Sequence, residues 1–219
     1  MDKTTVRARI EETGIIPGIR VSTAERARFA AEAVWRAGIP IAEVTMTVPD
    51  ALGVISRLRG DFPEMVVGAG TVLDVDTARR ALDAGAMFLT STGLVPEVVE
   101  CALKAGVVAF PGAITPSEII AAWKTGADFV KVFPCGTMGG PAYIRALKLP
   151  FPQIPLIATG GVNQQTAASF ILAGAAALGI GAELINPESL PEMREEQVRE
   201  LARRYLQMVR TARAQRNGE

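Results

Sequence analysis

A closed (β/α)8 barrel of the TIM type, an α/β fold, is the fold class this sequence predicts, and three observations predict it. Short apolar runs rich in Val, Ile, Leu, Ala and Phe alternate with amphipathic segments. The alternation repeats eight times at near-constant spacing. No Ser/Pro-rich linker and no shift of composition divides the 219 residues, so the chain reads as one domain, 1–219, with an N-terminal lead-in and a C-terminal docked helix. Repeated βα units imply a parallel sheet covered on both faces, and eight of them imply closure into a barrel. A doubly wound open sheet is the alternative, but it usually has fewer strands.

The predicted strands are 14–19, 39–46, 65–69, 87–91, 107–110, 128–133, 155–159 and 175–180, each too short for a helix and bounded by turn residues. The segments between them carry helix start and stop signals. Ser22-Thr23 caps 24–37, which ends at Gly38, and Pro49-Asp50 opens the next, ending near Gly60. Segment 74–84 ends at Gly85 and 96–105 at Gly106. Thr115-Pro-Ser-Glu118 has capping-box spacing, and its helix ends near Gly126. The segment after Met138-Gly-Gly140 carries a weaker helical signal, and 163–173 ends at Gly174. From about Pro191, Val198, Leu201, Tyr205, Met208 and Val209 form one stripe among Arg and Glu, as in a helix docked on the barrel.

Composition narrows the function. With 49% hydrophobic residues the chain can bury a sizeable core, and a net charge of zero gives no argument for nucleic-acid or anionic-membrane partners. Apolar stretches such as 173–180 fall far short of the roughly 18 to 20 residues of a membrane span. The first residues lack the apolar region of a signal peptide, and the two cysteines, Cys101 and Cys135, have no metal-like spacing, so a reducing cytoplasm is expected. The chain has no histidine, which removes imidazole acid/base catalysis, Ser-His and Cys-His pairs and nearly every zinc site. A carboxylate-built Mg²⁺ or Mn²⁺ site stays open. Gly68-Ala-Gly70 and Gly179-Ile-Gly181 lack the full dinucleotide-binding spacing.

Lys131 is the chemically informative residue. It lies within Asp128-Phe-Val-Lys-Val-Phe-Pro-Cys135, an apolar strand, where an ammonium costs several kcal/mol unless it is paired or neutral. A neutral lysine attacks carbonyl carbon to form a Schiff base, whereas the bland account is a snorkelling or ion-paired lysine. Strand residues alternate between barrel interior and helix layer. The β-branched Val130 and Val132 suit the helix layer, so Phe129, Lys131 and Phe133 point inward, and by the same rule so do Ile41, Glu43 and Thr45. An amine and a carboxylate inside one barrel form either a structural ion pair or a nucleophile with its proton carrier. Their place near strand C-termini, the catalytic face of this fold, favours the second.

The same face collects Thr71 and Thr159, after strands three and seven, and the glycines Gly160, Gly161 and Gly181. Glycines admit close ligand approach, and N–H groups at a helix starting near Asn163 would favour an anion. Arg20, closing strand one, is either a carboxylate or phosphate partner or a solvated strand-end residue. Cys135 and Thr137 are expected as wall residues, Cys101 as helix packing, and Tyr143 as core or interface.

Five motifs in order resemble the class I aldolases acting on 2-keto-3-deoxy-6-phosphogluconate (KDPG) and 4-hydroxy-2-oxoglutarate (KHG): Ala42-Glu-Val-Thr45, Val67-Gly-Ala-Gly-Thr-Val-Leu73, Phe110-Pro-Gly112, Val130-Lys-Val-Phe-Pro134 and Ala158-Thr-Gly-Gly-Val162. The resemblance implies that Lys131 is the Schiff-base lysine and Glu43 the acid/base group, with Thr71 and Thr159 near the pyruvate moiety. It implies Gly160, Gly161 and Gly181 on the phosphate side, no metal or cofactor, and a cytoplasmic homotrimer. Two positions depart from the family pattern. Thr47 stands where many members carry a carboxylate-binding arginine, which leaves Arg20 as the candidate partner. Ala182 stands where phosphate-binding members carry a serine, which bears on phosphate preference. The expected reaction is reversible cleavage of a 2-keto-4-hydroxy acid to pyruvate and an aldehyde (glyceraldehyde 3-phosphate or glyoxylate in the two namesake cases). A phosphate-binding isomerase or epimerase and a non-catalytic keto-acid binder are the alternatives.

Overall fold

The computed structural model describes residues 1–186 and 194–218. Among the described residues nine strands pair in parallel throughout: β1 (Ile15–Ile19), β2 (Ile41–Thr45), β3 (Val66–Gly70), β4 (Phe88–Thr90), β5 (Val108–Phe110), β6 (Gly112–Ala113), β7 (Val130–Val132), β8 (Leu156–Thr159) and β9 (Ala177–Ile180). Their order is β5-β4-β3-β2-β1-β9-β8-β7-β6. The two end strands, β5 and β6, are consecutive in the chain and separated only by Pro111. They are two pieces of one barrel strand, so the sheet curls into the predicted (β/α)8 barrel. Proline has no N–H to give a ladder, and at Pro111 the strand is interrupted. Its carbonyl remains useful: the Pro111 oxygen accepts the Lys131 N–H at 2.9 Å.

The helices start where the sequence places hydrogen-bonding side chains. Thr23 accepts from the Arg26 N–H and Asp74 from the Thr77 N–H, capping α2 (Ala24–Arg36) and α4 (Val75–Asp83). Thr115 and Glu118 make the full capping box of α6 (Pro116–Lys124). The weakly signalled segment forms α7 (Pro141–Lys148). Among the described residues, no helix is long and apolar enough to cross a membrane.

Two expectations change. The N-terminal lead-in is a helix, α1 (Lys3–Thr13), which buries only Val6 and Ile10. Two apolar residues one turn apart are too little signal to mark a helix. It is held instead by long-range contacts: Lys3 Nζ lies 3.0 Å from the buried Asp128 carboxylate, and the Arg7 guanidinium lies 5.6 Å from the Phe129 ring centroid. Both partners sit where β7 begins, so α1 covers the N-terminal end of the barrel. The helix expected from Asn163 begins later, as α8 (Ala167–Leu172), because the Asn163 side chain accepts the Gln165 and Thr166 N–H groups in a turn of its own. The docked C-terminal helix is present as α9 (Glu195–Asn217), with Val198, Tyr205 and Val209 buried; its expected start at Pro191 lies outside the described residues.

The interior divides into two layers. Below the site, Phe88, Phe110 and Phe129 pack with ring centroids 5.1 and 6.3 Å apart. Gly68 makes room for them, since a Cβ there would lie 2.3 Å from the Phe88 ring. Near the strand C-termini, the inward positions of β1, β3, β6 and β9 hold Gly18, Gly70, Gly112 and Gly179, and that half of the barrel is open.

Asp128 also accepts the Ala109 N–H at 2.9 Å, so its carboxylate serves a strand as well as a helix. Asp128→Ala is expected to cost about 1–3 kcal/mol by leaving a buried N–H unpaired, and Lys3→Ala less than about 1 kcal/mol, because Lys3 is part-exposed. Urea midpoints of the two variants check the order; an equal or reversed order would refute it.

Candidate active site

The open half encloses a cavity of about 370 Å³ at the C-terminal ends of the strands. That volume suits a small metabolite. Lys131 and Glu43 reach into it from β7 and β2, both buried, with Nζ 3.7 Å from Oε1. Among the described residues neither side chain makes a hydrogen bond. A buried ion pair kept for stability needs short contacts and further hydrogen bonds to offset desolvation. This pair has a long contact and faces open space, so its lone pairs and protons stay available to a ligand. The Phe133 ring adds an aromatic face, with its centroid 5.9 Å from Lys131 Nζ.

Inward glycines create this vacancy. A Cβ on Gly70 would lie 2.0 Å from Glu43 Oε1, and one on Gly179 would lie 2.3 Å from Thr159 Oγ1. Thr159 Oγ1 is buried and, among the described residues, has no hydrogen-bond partner. An orphaned hydroxyl beside a cavity is a ligand contact in waiting. Its backbone is fixed by the chain that follows β7, because the Thr159 carbonyl accepts the Cys135 N–H at 2.8 Å and the Gly160 carbonyl accepts the Gly136 N–H at 2.7 Å.

A second cation sits at the mouth. Arg20 lines the cavity and turns away from β9, donating to Thr47 Oγ1 at 2.8 Å and to Thr71 Oγ1 at 3.0 Å. Thr47 lies 2.8 Å from Thr45 Oγ1, which donates to the Ile19 carbonyl at 2.9 Å. Thr71 occupies left-handed backbone (φ 59°), which brings its hydroxyl to the guanidinium. Among the described residues no carboxylate lies within 4.0 Å of Arg20. Three hydroxyls thus aim one uncompensated positive charge.

The expected residues do not all gather. Lys131, Glu43, Thr159, Arg20, Gly160, Gly161 and Gly181 line the cavity. Thr47 and Thr71 do not line it; they hold Arg20. Cys135 and Thr137, expected as wall, are not: Cys135 is wholly buried, its thiol pushed up to about 12 by desolvation, and the exposed Thr137 donates to the Pro134 carbonyl. Cys101 packs against the core as expected, and the part-buried Tyr143 hydroxyl donates to the Ile114 carbonyl. Thr92 and Glu183 also line the cavity, and the sequence motifs do not point to either. Each lies just past a strand end, and that position is the signal by which they could be found. Among the described residues no three His, Cys, Asp or Glu side chains gather as metal ligands.

Comparison with known proteins agrees with this geometry. Residues 6–201 match the family model described as KDPG and KHG aldolase. The chain is 32% identical over 205 residues to the 2-dehydro-3-deoxy-phosphogluconate aldolase of Treponema pallidum, covering 94% of this chain and 98% of that one. It is 31% identical over 161 residues to the KHG/KDPG aldolase of Escherichia coli K12, covering 74% and 76%. A crystal structure of KDPG aldolase from Legionella pneumophila, with pyruvate captured as a covalent carbinolamine intermediate, superposes with a TM-score of 0.82 at 29% identity, covering 90% of this chain and 96% of that one.

Gly70→Ala is expected to lower the thermal midpoint by forcing the Glu43 carboxylate against packed neighbours. The double variant with Glu43→Ala should recover at least about 1 kcal/mol of that loss. Additive losses in thermal unfolding would show that Gly70 is not there to admit Glu43.

Proposed function

The chain belongs to the KDPG and KHG aldolase family, and from that premise we propose how its residues carry out class I aldol cleavage of a 2-keto-4-hydroxy acid. The observation that carries the proposal is the buried Lys131–Glu43 pair, 3.7 Å apart and open to the cavity. Lys131 attacks the substrate C2 carbonyl as the neutral amine, its proton passing to the adjacent carboxylate. The resulting carbinolamine loses water to give an iminium. Glu43 then takes the proton of the C4 hydroxyl, and the C3–C4 bond breaks with its electron pair flowing into the iminium, which becomes an enamine. The aldehyde leaves, C3 is protonated from Glu43, and water releases pyruvate and the free amine. Because the iminium is itself the electron sink, no metal is required by this chemistry.

Arg20 takes the place that Thr47 vacates: its guanidinium, aimed by Thr47 and Thr71, holds the substrate carboxylate. The unpartnered Thr159 hydroxyl completes the pyruvate end. Gly160, Gly161 and Gly181 border the aldehyde end. We take residues 1–219 as one aldolase domain working as a cytoplasmic homotrimer, on family resemblance.

Borohydride reduction in the presence of pyruvate should attach a three-carbon adduct to Lys131, found by peptide mass. Lys131→Ala should lose the adduct and at least about 10⁴-fold in kcat, while EDTA leaves wild-type activity intact. No adduct, or an active Lys131→Ala, refutes the Schiff base and favours a proton-transfer reaction at Glu43. Arg20→Ala should raise KM for the keto acid about 10-fold or more, since a charge-assisted contact is lost. An unchanged KM would remove Arg20 from carboxylate recognition.

A further inference from the structure

We infer that Thr71 is a positioning residue: it keeps a strained backbone so that its hydroxyl locks the Arg20 guanidinium, and it acts on the substrate only through that guanidinium. The inference rests on the proposed role of Arg20 in holding the substrate carboxylate, and deepens it. Among the described residues other than glycine, left-handed backbone occurs only at Asp50 (φ 52°) and Thr71 (φ 59°). Aspartate enters this region more readily than most residues, whereas a β-branched side chain is crowded there. Glycine would sit at position 71 without strain. The chain cannot relax the turn, because the neighbours of Thr71 are tied to different strands. The Gly70 carbonyl accepts the N–H of Met46, just past β2, at 2.8 Å, and the Val72 N–H donates to the Thr90 carbonyl of β4 at 3.1 Å. Strain that is fixed from both sides marks a position kept for function. Among the described residues, the Thr71 hydroxyl makes one hydrogen bond, accepting from Arg20 Nη2 at 3.0 Å.

The other terminal nitrogen of Arg20 is held by a directed chain. A hydroxyl has one hydrogen to give. Thr45 gives its own to the Ile19 carbonyl at 2.9 Å, so Thr47, with its oxygen 2.8 Å away, donates to Thr45 and accepts from Arg20 Nη1 at 2.8 Å. Ile19 immediately precedes Arg20, so the chain closes back on the strand that carries the arginine. A guanidinium has five N–H groups, two of them on each terminal nitrogen. One on each is committed to a threonine, and one on each is left, which is the pair that a carboxylate takes in a two-point contact. Held at Nη1 alone, the guanidinium could pivot. Thr71 is the second point that stops the pivot.

The test reads KM, kcat and the thermal midpoint with 2-keto-3-deoxy-6-phosphogluconate as substrate, and borohydride–pyruvate trapping is run on every variant. Thr71→Ala should raise KM about 5-fold with a smaller change in kcat, and Thr71→Ser, which keeps the hydroxyl, should recover most of that loss. In an Arg20→Ala background, Thr71→Ala should add nothing to KM, because it acts through the arginine. Thr71→Gly should unfold at a higher temperature than Thr71→Ala, the reverse of the usual order, because only glycine releases the strain. An equal rise of KM in the Arg20→Ala background would make Thr71 a direct substrate contact and overturn the assignment. An unchanged KM in Thr71→Ala, or a glycine variant less stable than the alanine one, would overturn it too. An Arg20→Ala enzyme with wild-type KM overturns the Arg20 reading and this inference with it, while trapping at Lys131 persists. Loss of trapping in the wild type overturns the aldolase reading itself.

Discussion

Two opposite charges held 3.7 Å apart inside a barrel, without the hydrogen bonds that would make them comfortable, are the constraint on which the rest of this molecule depends. Taking an ammonium and a carboxylate out of water costs several kcal/mol per ion. The surrounding fold has to supply that energy, and it does so by burying nearly everything else. Phe88, Phe110 and Phe129 fill the barrel below the pair, and the Val, Ile and Ala side chains of the strands pack against the helix layer. The cost is concentrated in two residues, and those residues face the cavity.

The space around the pair is made by omission. Gly70 leaves the place that Glu43 occupies, and Gly179 leaves the place under Thr159. In a barrel of this size side chains fill the interior by default, so a cavity requires inward positions with no side chain. The mouth follows a related logic, where Thr45, Thr47 and Thr71 commit their hydroxyls to aiming Arg20 and, among the described residues, leave the guanidinium without an acid. Where the family resemblance expects an arginine at position 47, this chain has the short side chain that lets an arginine from the neighbouring strand lie across it.

Much of this is legible in the sequence, and the physical reason is periodicity. Strand alternation is a strict rule, so one misplaced lysine among valines tells which way Lys131 faces, and the same parity places Glu43 in the same interior. The barrel follows from eight repeats of one unit. Features that depend on contacts distant in sequence are not legible. Helix α1 carries two buried residues and is anchored by Asp128 and Phe129, more than a hundred residues away. The late start of α8 depends on whether the Asn163 side chain bonds its own turn or lets a helix begin. The family resemblance implies a place for Thr71 near the pyruvate moiety; what the sequence does not carry is its left-handed backbone, which turns the hydroxyl to Arg20.

Pro111 has a consequence beyond its missing N–H. By breaking one strand into β5 and β6, it divides the barrel into two arcs that share β1: one runs from β1 to β5 and carries Glu43, the other runs from β1 through β9 to β6 and carries Lys131. Neither arc holds both ionisable side chains, so the 3.7 Å approach of the amine to the carboxylate is made across the barrel and belongs to the curled sheet as a whole.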